Sequence, residues 1–402
     1  MFKIKRRSFL HLCGGAFVGG AYAVSLKDKK KFKKEKGMIY RRLGRTGLWI
    51  SEIGNGGSPP PPASVFNYTV KKGVNWFDTS SGYSEMKSEE TYGEYLKKID
   101  RKNFVVCTKM HARKSTTASE IIQEVQGSLK RLCVDTIDVL HLHGLDKPEQ
   151  LENNEVISAC ESLKKEGKIR FTGVSIHKNI LQLLPIVIDK NYHDVILVAF
   201  NVYGDVNEKY DDFLGHCGLK QLLQKAYDKD IGIMAMKVQA GGNNQKLDKY
   251  ISRDVTAAQA KIMWALSHEF IAGITTEMKN LDEAKEDLNA VGKRLSIKQG
   301  KKLFEYCNYD SNETCRMCGF CSEVCVCGIE ISDIQRLLRY CKRYDSAKKN
   351  LARNHYAALK KDVTIVSCTG CQKCEAICPW GVRVLNNLRT AHTLLNNTAE
   401  NA

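Results

Sequence analysis

The stretch Gly-Val-Asn-Trp-Phe-Asp-Thr-Ser-Ser-Gly-Tyr at residues 73–83 decides the fold of this chain. Its apolar centre has the length and composition of a buried strand, and the small polar residues that follow mark the end of that strand. Asp78 and Tyr83 therefore stand at a strand end. In a barrel of parallel strands, the side chains that perform chemistry come from these ends.

Seven further apolar runs accompany this strand, and amphipathic stretches with helical spacing separate them. Strands are predicted at 48–54, 75–79, 104–110, 137–143, 169–175, 195–201, 232–237 and 271–276. Helices are predicted at 88–99, 118–132, 155–166, 219–228, 257–268 and 281–290. Eight such units in about 250 residues predict an α/β fold, a (β/α)8 TIM barrel. A doubly wound sheet is the competing fold, but no Gly-x-Gly-x-x-Gly follows the first strand.

Polar side chains stand at the ends of three successive predicted strands. Asp78 and Tyr83 follow the second, Lys109 lies near the end of the third, and His143 ends the fourth. A lysine ammonium beside a phenol favours the phenolate, and a carboxylate paired with that lysine keeps it charged. Such a tyrosine can exchange a proton near neutral pH, although a free one titrates near about 10. A neutral histidine beside it can orient a carbonyl oxygen.

Three motifs around these residues resemble the aldo-keto reductase superfamily. Residues 40–48 with Ile50-Ser51 look like its opening hairpin, residues 73–79 like its catalytic aspartate strand, and residues 167–175 like its fifth strand. The resemblance spans about residues 38–290, with the motifs in the family's order.

The resemblance implies a role for each polar strand-end residue. Tyr83 would be the general acid, Asp78 and Lys109 its tuning pair, and His143 the residue that orients the substrate. A small carbonyl or alcohol compound would be the substrate, and hydride would pass to it from NADP(H) or NAD(H).

The cofactor contacts that the resemblance implies are only partly present. Asp78, Ser175 and Asn201 are retained as candidate cofactor-binding residues. Ile176 stands where the family usually has asparagine, and Leu197 stands where it usually has glutamine. Nicotinamide binding is therefore implied, but with fewer contacts than usual.

The cysteines are concentrated near the C-terminus, where eleven of the sixteen lie between Cys307 and Cys378. Two runs share the spacing Cys-x2-Cys-x2-Cys-x3-Cys, which is that of bacterial-type four-iron, four-sulfur binding. The predicted ligands are Cys315, Cys318, Cys321, Cys325, Cys368, Cys371, Cys374 and Cys378. A disulfide framework predicts no such repeat, and a zinc ribbon needs only paired Cys-x2-Cys knuckles. Two 4Fe-4S clusters are therefore predicted.

Ligation of these clusters has two alternatives. In crossed ligation, Cys378 joins the first three cysteines of the first run and Cys325 joins the first three of the second; in direct ligation, each run binds its own cluster. Val326 replaces the usual proline after Cys325, and Cys327 follows as a substitute ligand. Helices are predicted at 332–345 and 347–360, the first capped by Ser332. This is the pattern of a small, mainly helical ferredoxin-type iron-sulfur domain.

The N-terminus resembles a twin-arginine export signal. Arg6-Arg7-Ser8-Phe9-Leu10 precedes a glycine-rich apolar run over 12–26, which is short for a membrane span. Ala21-Tyr22-Ala23 offers a cleavage site, and an uncleaved anchor is the alternative. The expected location is the periplasm or the outer face of the cytoplasmic membrane, after passage through the twin-arginine export machinery. Twelve of the seventeen net positive charges lie in residues 1–45, so no basic face for nucleic acid is predicted.

These features predict three segments: a signal and basic tether over 1–36, a barrel over 37–298, and an iron-sulfur domain over 299–402. The favoured function is an oxidoreductase that passes hydride between NAD(P)H and a carbonyl or alcohol, with clusters serving electron transfer to a redox protein partner. The alternative is an exported electron-transfer protein whose barrel is a non-catalytic docking or sensing scaffold. In a third reading, the clusters only stabilise the C-terminus.

Overall fold

The structure is a computed structural model that describes residues 32–84, 86–176, 178–204, 218–239, 250–309, 315, 317, 319–343, 346–378 and 381–396. The predicted export signal and Cys318 lie outside the described residues. Among the described helices, none combines the length and the apolar character that a membrane crossing requires.

An antiparallel three-stranded sheet opens the chain: β1 (Phe32–Glu35), β2 (Met38–Arg42) and β3 (Trp49–Ser51). The strand predicted at 48–54 is wrong as a single element, because the chain divides at Glu52. There the buried Glu52 carboxylate accepts a hydrogen bond from Arg41 Nε at 2.9 Å and another from the Gly292 amide at 3.0 Å. The residues before Glu52 therefore join the sheet, and those after it enter the barrel.

Eight parallel strands then close into a barrel, as the sequence predicts. They are β4 (Ile53–Gly56), β5 (Trp76–Asp78), β6 (Val105–His111), β7 (Ile137–Leu145), β8 (Ile169–Ile176), β9 (Val195–Ala199), β10 (Gly232–Met236) and β13 (Gly273–Thr276). A short hairpin, β11 (Tyr250–Ser252) and β12 (Val255–Thr256), precedes the last of them. Strand β13 pairs with both β10 and β4, and this closes the ring.

Helices cover the barrel. They are α1 (Ala63–Lys71), α2 (Lys87–Leu96), α3 (Ala118–Leu132), α4 (Asn154–Lys165), α5 (Ile180–Lys190), α6 (Leu219–Asp228), α7 (Ala257–Leu266), α8 (Leu281–Leu288) and α9 (Ile297–Tyr309). Helix α3 shows why such segments fold locally, since Thr117 and Glu120 form a reciprocal capping box at its start. Ile121 and Val125 then face the barrel on one stripe. Leu303 and Cys307 of α9 also belong to the barrel's core.

A second, smaller core lies in the C-terminal part. Its helices are α10 (Phe320–Glu323), α11 (Ile331–Arg343), α12 (Ser346–Ala357), α13 (Lys373–Ala376) and α14 (Val384–Asn396). Ile334 and Leu388 are buried within this core. The prediction that Ser332 caps its helix is wrong, because α11 already begins at Ile331. Ser332 is instead buried, with its hydroxyl 3.5 Å from that of Ser322.

Helix α11 docks this unit onto the carboxyl end of the barrel. Lys178, which follows β8, is nearly buried and donates to Asp333 at 2.8 Å and to Glu330 at 3.0 Å. Gln182 of α5 bonds the carboxylate of Glu323 on α10. The two cores are thus joined by ion pairs and hydrogen bonds at the end of the barrel where its strands finish.

Side chains of alternate strand residues fill the inside of the barrel. Gly173 of β8 leaves room for one of them, because a Cβ there would lie 2.6 Å from His141 Cδ2 and 2.7 Å from the Val195 carbonyl oxygen. His141 is fully buried, so it cannot swing into solvent to make space. Glycine at 173 is therefore a packing requirement.

We expect Gly173→Ala to lower the free energy of unfolding by about 1–3 kcal/mol, because the added methyl group overpacks the barrel. Chemical denaturation monitored by circular dichroism measures the change. Gly300→Ala is the matched control, since a Cβ there meets nothing within 4 Å and alanine favours the helix. Equal stability of the two variants would contradict the packing role.

We expect Lys178→Ala to loosen the docking of α11, because it removes the cation shared by Glu330 and Asp333. Amide hydrogen exchange over residues 331–343 should quicken by about fivefold, which is ~1 kcal/mol for a partly exposed ion-pair network. Lys97→Ala is the control, because its pair with Glu94 is exposed on α2. Unchanged exchange in the Lys178 variant would show that apolar packing alone holds the helix.

Candidate active site and cysteine cavity

The four predicted polar residues meet at the barrel mouth, meaning the end where the strands finish. Lys109 Nζ donates to both carboxylate oxygens of Asp78 at 2.7 Å and to the Thr79 carbonyl oxygen at 2.7 Å. Both charged side chains are almost completely buried. The same ammonium lies 4.8 Å from the centre of the Tyr83 ring. A buried charge needs such a partner, so the pair fixes the lysine under the tyrosine.

His143 completes the group from β7. Its ring stands edge-on to Tyr83, with centroids 5.6 Å apart and planes at 86°. Ser80 Oγ lies 3.4 Å from His143 Nδ1, and His111 stacks on the other face at 4.7 Å and 26°. The sequence analysis missed Ser80 and His111. A signal for His111 was available, because it ends β6 two residues after Lys109.

Burial and charge set the protonation of these groups. Burial works against the charged form of Lys109, but Asp78 and Tyr83 raise the pKa of the ammonium above its ordinary value. Burial raises the pKa of Tyr83, and Lys109 offsets this only in part. Burial, followed by Lys109, holds the pKa of His143 well below its ordinary value. At neutral pH the site therefore holds a charged lysine, a neutral histidine and a protonated phenol.

The sequence analysis expected Lys109 to bring the pKa of Tyr83 toward neutral pH, but in the structure the pKa of Tyr83 is raised. The lysine does favour the phenolate, but removal of the phenol from water outweighs it. A phenol that stays protonated is suited to donating a proton, whereas it is a poor base at rest.

Two further polar side chains, Cys107 and His141, lie inside the barrel beneath the tetrad formed by Asp78, Tyr83, Lys109 and His143. The Cys107 thiol donates to Asp78 Oδ1 at 2.8 Å, and one ligand atom each of Asp78, Cys107 and His141 falls within 4.8 Å of the others. Lys109 already donates to both oxygens of that carboxylate, so its ammonium takes the place that a metal ion would need. The sequence analysis assigned no role to Cys107. The available signal was its place two residues before Lys109, which puts both side chains on the same side of the strand.

The candidate nicotinamide contacts fit the mouth in part. Ser175 pairs with His143 across the strands, and its buried hydroxyl has no hydrogen-bond partner in the described part of the chain. A ligand amide is the kind of group that would satisfy such a hydroxyl. Asn201 lies half-buried just beyond β9. Asp78, by contrast, is already engaged by Lys109, so it contributes through the lysine.

Helix α11 adds groups to the same mouth. Burial lowers the pKa of Lys237, which follows β10, and the nearby Arg336 and Arg339 lower it further against an opposite effect of Tyr340. Tyr340 also contributes to the raised pKa of Tyr83. Side chains of the smaller core therefore act electrostatically on Tyr83 and Lys237, and nothing in the sequence pattern of the barrel could indicate them.

The described residues of the two cysteine runs, 53 residues apart, share several backbone features. Cys315 Sγ accepts a hydrogen bond from the Met317 amide at 3.3 Å, and Cys368 Sγ accepts one from the Gly370 amide at 3.3 Å. Both donors have positive φ, 59° and 71°. The short helices α10 and α13 follow at the same place in each run. Amides turned toward sulfur are the arrangement that stabilises bound thiolates.

A cavity between the runs brings cysteines from both together. Those that line it are Cys325, Cys327, Cys368, Cys371 and Cys374. Burial raises the pKa of the Cys374 thiol to about 11, so in the free protein it stays protonated at neutral pH. The grouping of Cys325 with the second run is the one that crossed ligation requires. Cys378 is half-buried beyond α13, and Cys321 is buried on α10.

Comparison with known proteins concerns the barrel. Residues 46–250, just over half of the chain, match the aldo/keto reductase family. The L-galactose dehydrogenase of Arabidopsis thaliana is 36% identical over 154 residues, which are 34% of this chain and 47% of that protein. This chain thus matches about half the length of that relative. An oxidoreductase of Bacillus subtilis, YqkF, is 24% identical over 306 residues, which are 68% of this chain and 98% of that protein.

Solved structures show the same fold. The aldo-keto reductase AKR11C1 from Bacillus halodurans, in its holo form, has a TM-score of 0.53 at 20% identity and covers 66% of this chain and 95% of its own. The thermostable aldo-keto reductase Tm1743 has a TM-score of 0.51 at 22% identity, and the match covers 67% of this chain and 100% of that one. The matched residues include the whole tetrad, and the closed eight-stranded barrel presents it at the expected end. The chain therefore belongs to the aldo/keto reductase family of oxidoreductases.

Proposed function

We propose that this protein transfers hydride between NAD(P)H and a small carbonyl or alcohol compound, and that two 4Fe-4S clusters in its C-terminal part serve electron transfer. The observation that carries the catalytic part is the Lys109 ammonium, which is held by Asp78 under the ring of Tyr83. A protonated phenol beside a fixed cation is a proton donor whose conjugate base is stabilised as soon as it forms.

In carbonyl reduction, the bound nicotinamide supplies the hydride. Tyr83 gives its proton to the developing alkoxide oxygen, and Lys109 stabilises the resulting phenolate by charge. His143 stays neutral because of burial, so it can direct a ring N–H at the same oxygen without adding charge. Ser175 and Asn201 would hold the nicotinamide ring against this group.

The clusters are supported by the Cys-x2-Cys-x2-Cys-x3-Cys spacing of both cysteine runs and by the amide-to-sulfur hydrogen bond that recurs in each. A single zinc ion needs only four thiolates, whereas the two runs supply eight cysteines. The cavity favours crossed ligation, with Cys325 joining the second run.

Export through the twin-arginine machinery is part of the proposal. The paired arginines at residues 6–7 support it, and so does the cargo, since clusters are assembled before export in a folded protein. A redox protein partner outside the cytoplasm would then exchange electrons with the clusters.

An electron carrier with a non-catalytic barrel is the second candidate function. The electrostatic influence of Tyr340 on Tyr83 and of Arg336 on Lys237 favours it, because side chains of α11 then act on groups at the strand ends, where a nicotinamide would bind. The replacement of usual cofactor contacts by Ile176 and Leu197 favours it too. Nucleotide binding decides between the two candidates, since a carrier needs none.

We expect Tyr83→Phe to lower the rate of carbonyl reduction by about 10²- to 10⁴-fold, because the proton donor is lost while the ring remains. Turnover is measured by NADPH and NADH absorbance with simple aldehydes and with L-galactose, the compound named for one relative. Tyr68→Phe on α1 is the control and should keep full activity. NADPH or NADH should quench the protein's fluorescence in both variants. Absence of any quenching would favour the carrier.

We expect about eight irons and eight acid-labile sulfides per chain in protein purified without oxygen, as two four-iron clusters require. Removal of iron with a chelator should bleach the visible absorbance and loosen α11, detected as faster amide exchange over residues 331–343. The barrel's exchange should stay unchanged, because its core is separate. Zinc in place of iron and sulfide would refute the cluster assignment.

A further inference from the structure

We propose that Cys327 is a reserve ligand for the cluster bound by the second cysteine run, and that it replaces Cys325 at the same iron when Cys325 is lost or displaced. This inference rests on the proposed clusters. It develops the expectation from the sequence that Cys327 can substitute for Cys325, and it says which cluster and which iron the substitution concerns.

The cavity between the runs is the first observation. It is lined by two cysteines from the first run's end, Cys325 and Cys327, and by three from the second run. Three cysteines of one run bind three irons of a cubane, so one iron remains for a fourth thiolate. The cavity offers two candidates for that single place.

The backbone turn explains why both cysteines reach it. The Gly328 amide donates to the Cys325 carbonyl oxygen at 3.0 Å, so residues 325–328 form a β-turn. Val326, at the second position of the turn, is 69% exposed and points to solvent. Cys327, at the third position, is half-buried and lines the cavity with Cys325.

The second run shows that this arrangement is particular to the first. The Gly381 amide donates to the Cys378 carbonyl oxygen at 3.1 Å, as the Gly328 amide does to that of Cys325. In sequence, the two residues between Cys378 and Gly381 are Pro379 and Trp380. Tryptophan cannot bind iron, so Cys378 has no reserve. The repeat thus provides its own internal comparison.

Contact across the two runs places Cys327 beside the second cluster's loop. Its Sγ lies 3.8 Å from the Thr369 hydroxyl oxygen, and Thr369 directly follows Cys368. The entering Cys327 thiol loses its proton to water as it bonds to iron, and the leaving Cys325 thiolate takes one up. No oxidation state changes, so no further reactant is required.

Alanine variants purified without oxygen test the proposal by iron and sulfide content and by electron paramagnetic resonance after reduction. We expect Cys325→Ala and Cys327→Ala each to retain about eight irons. The double variant should fall to about four. The matched control is Cys378→Ala, which should fall to about four alone because Trp380 stands in sequence where the first run has Cys327.

Two results would overturn the proposal. If Cys325→Ala alone falls to about four irons, Cys327 does not replace it; if the double variant retains about eight, neither cysteine is needed. Failure of the proposed clusters themselves is a distinct outcome, because the unaltered protein would then contain no iron. Circular dichroism confirms that each variant is folded.

Discussion

The ion pair between Lys109 and Asp78 is the constraint on which the barrel mouth depends. A lone ammonium at that depth would lose several kcal/mol of hydration, and Asp78 is the group that compensates it. Once fixed, the lysine positions its charge against Tyr83 and adds to the effect of burial, which holds the pKa of His143 low. Cys107 supports the same carboxylate from below. The charge of the buried pair and the burial of its neighbours together set the protonation of the tetrad.

Much of this fold could be predicted from the sequence, because helical and strand periodicity survive tertiary packing. The helix at 118–132 is predicted to the residue, since its capping box and apolar stripe are local signals. The strand at 48–54 fails for the opposite reason. Its division depends on Glu52 meeting Arg41 and Gly292, and one of these is 240 residues away in sequence.

The candidate site likewise contains residues that local sequence patterns identify and others that only the fold brings to the site. Strand ends identify Asp78, Tyr83, Lys109 and His143, because each lies where a local pattern stops. The stacking of His111 on His143 requires the register between β6 and β7, and the raised pKa of Tyr83 requires its burial. Neither the strand register nor the burial of Tyr83 can be derived from the spacing of the motifs. The cysteine spacing likewise predicts cluster binding, but only the folded cavity groups Cys325 with the distant second run.

The docking of α11 makes the barrel's entrance a composite of two parts of the chain that are synthesised far apart. Lys178 of the barrel part meets Glu330 and Asp333 only after the C-terminal part has been synthesised. In a barrel without that part, the Lys178 ammonium would lose both hydrogen-bonded carboxylates and would face water at the end where the strands finish. The last hundred residues therefore cover a charged group that the barrel alone leaves exposed.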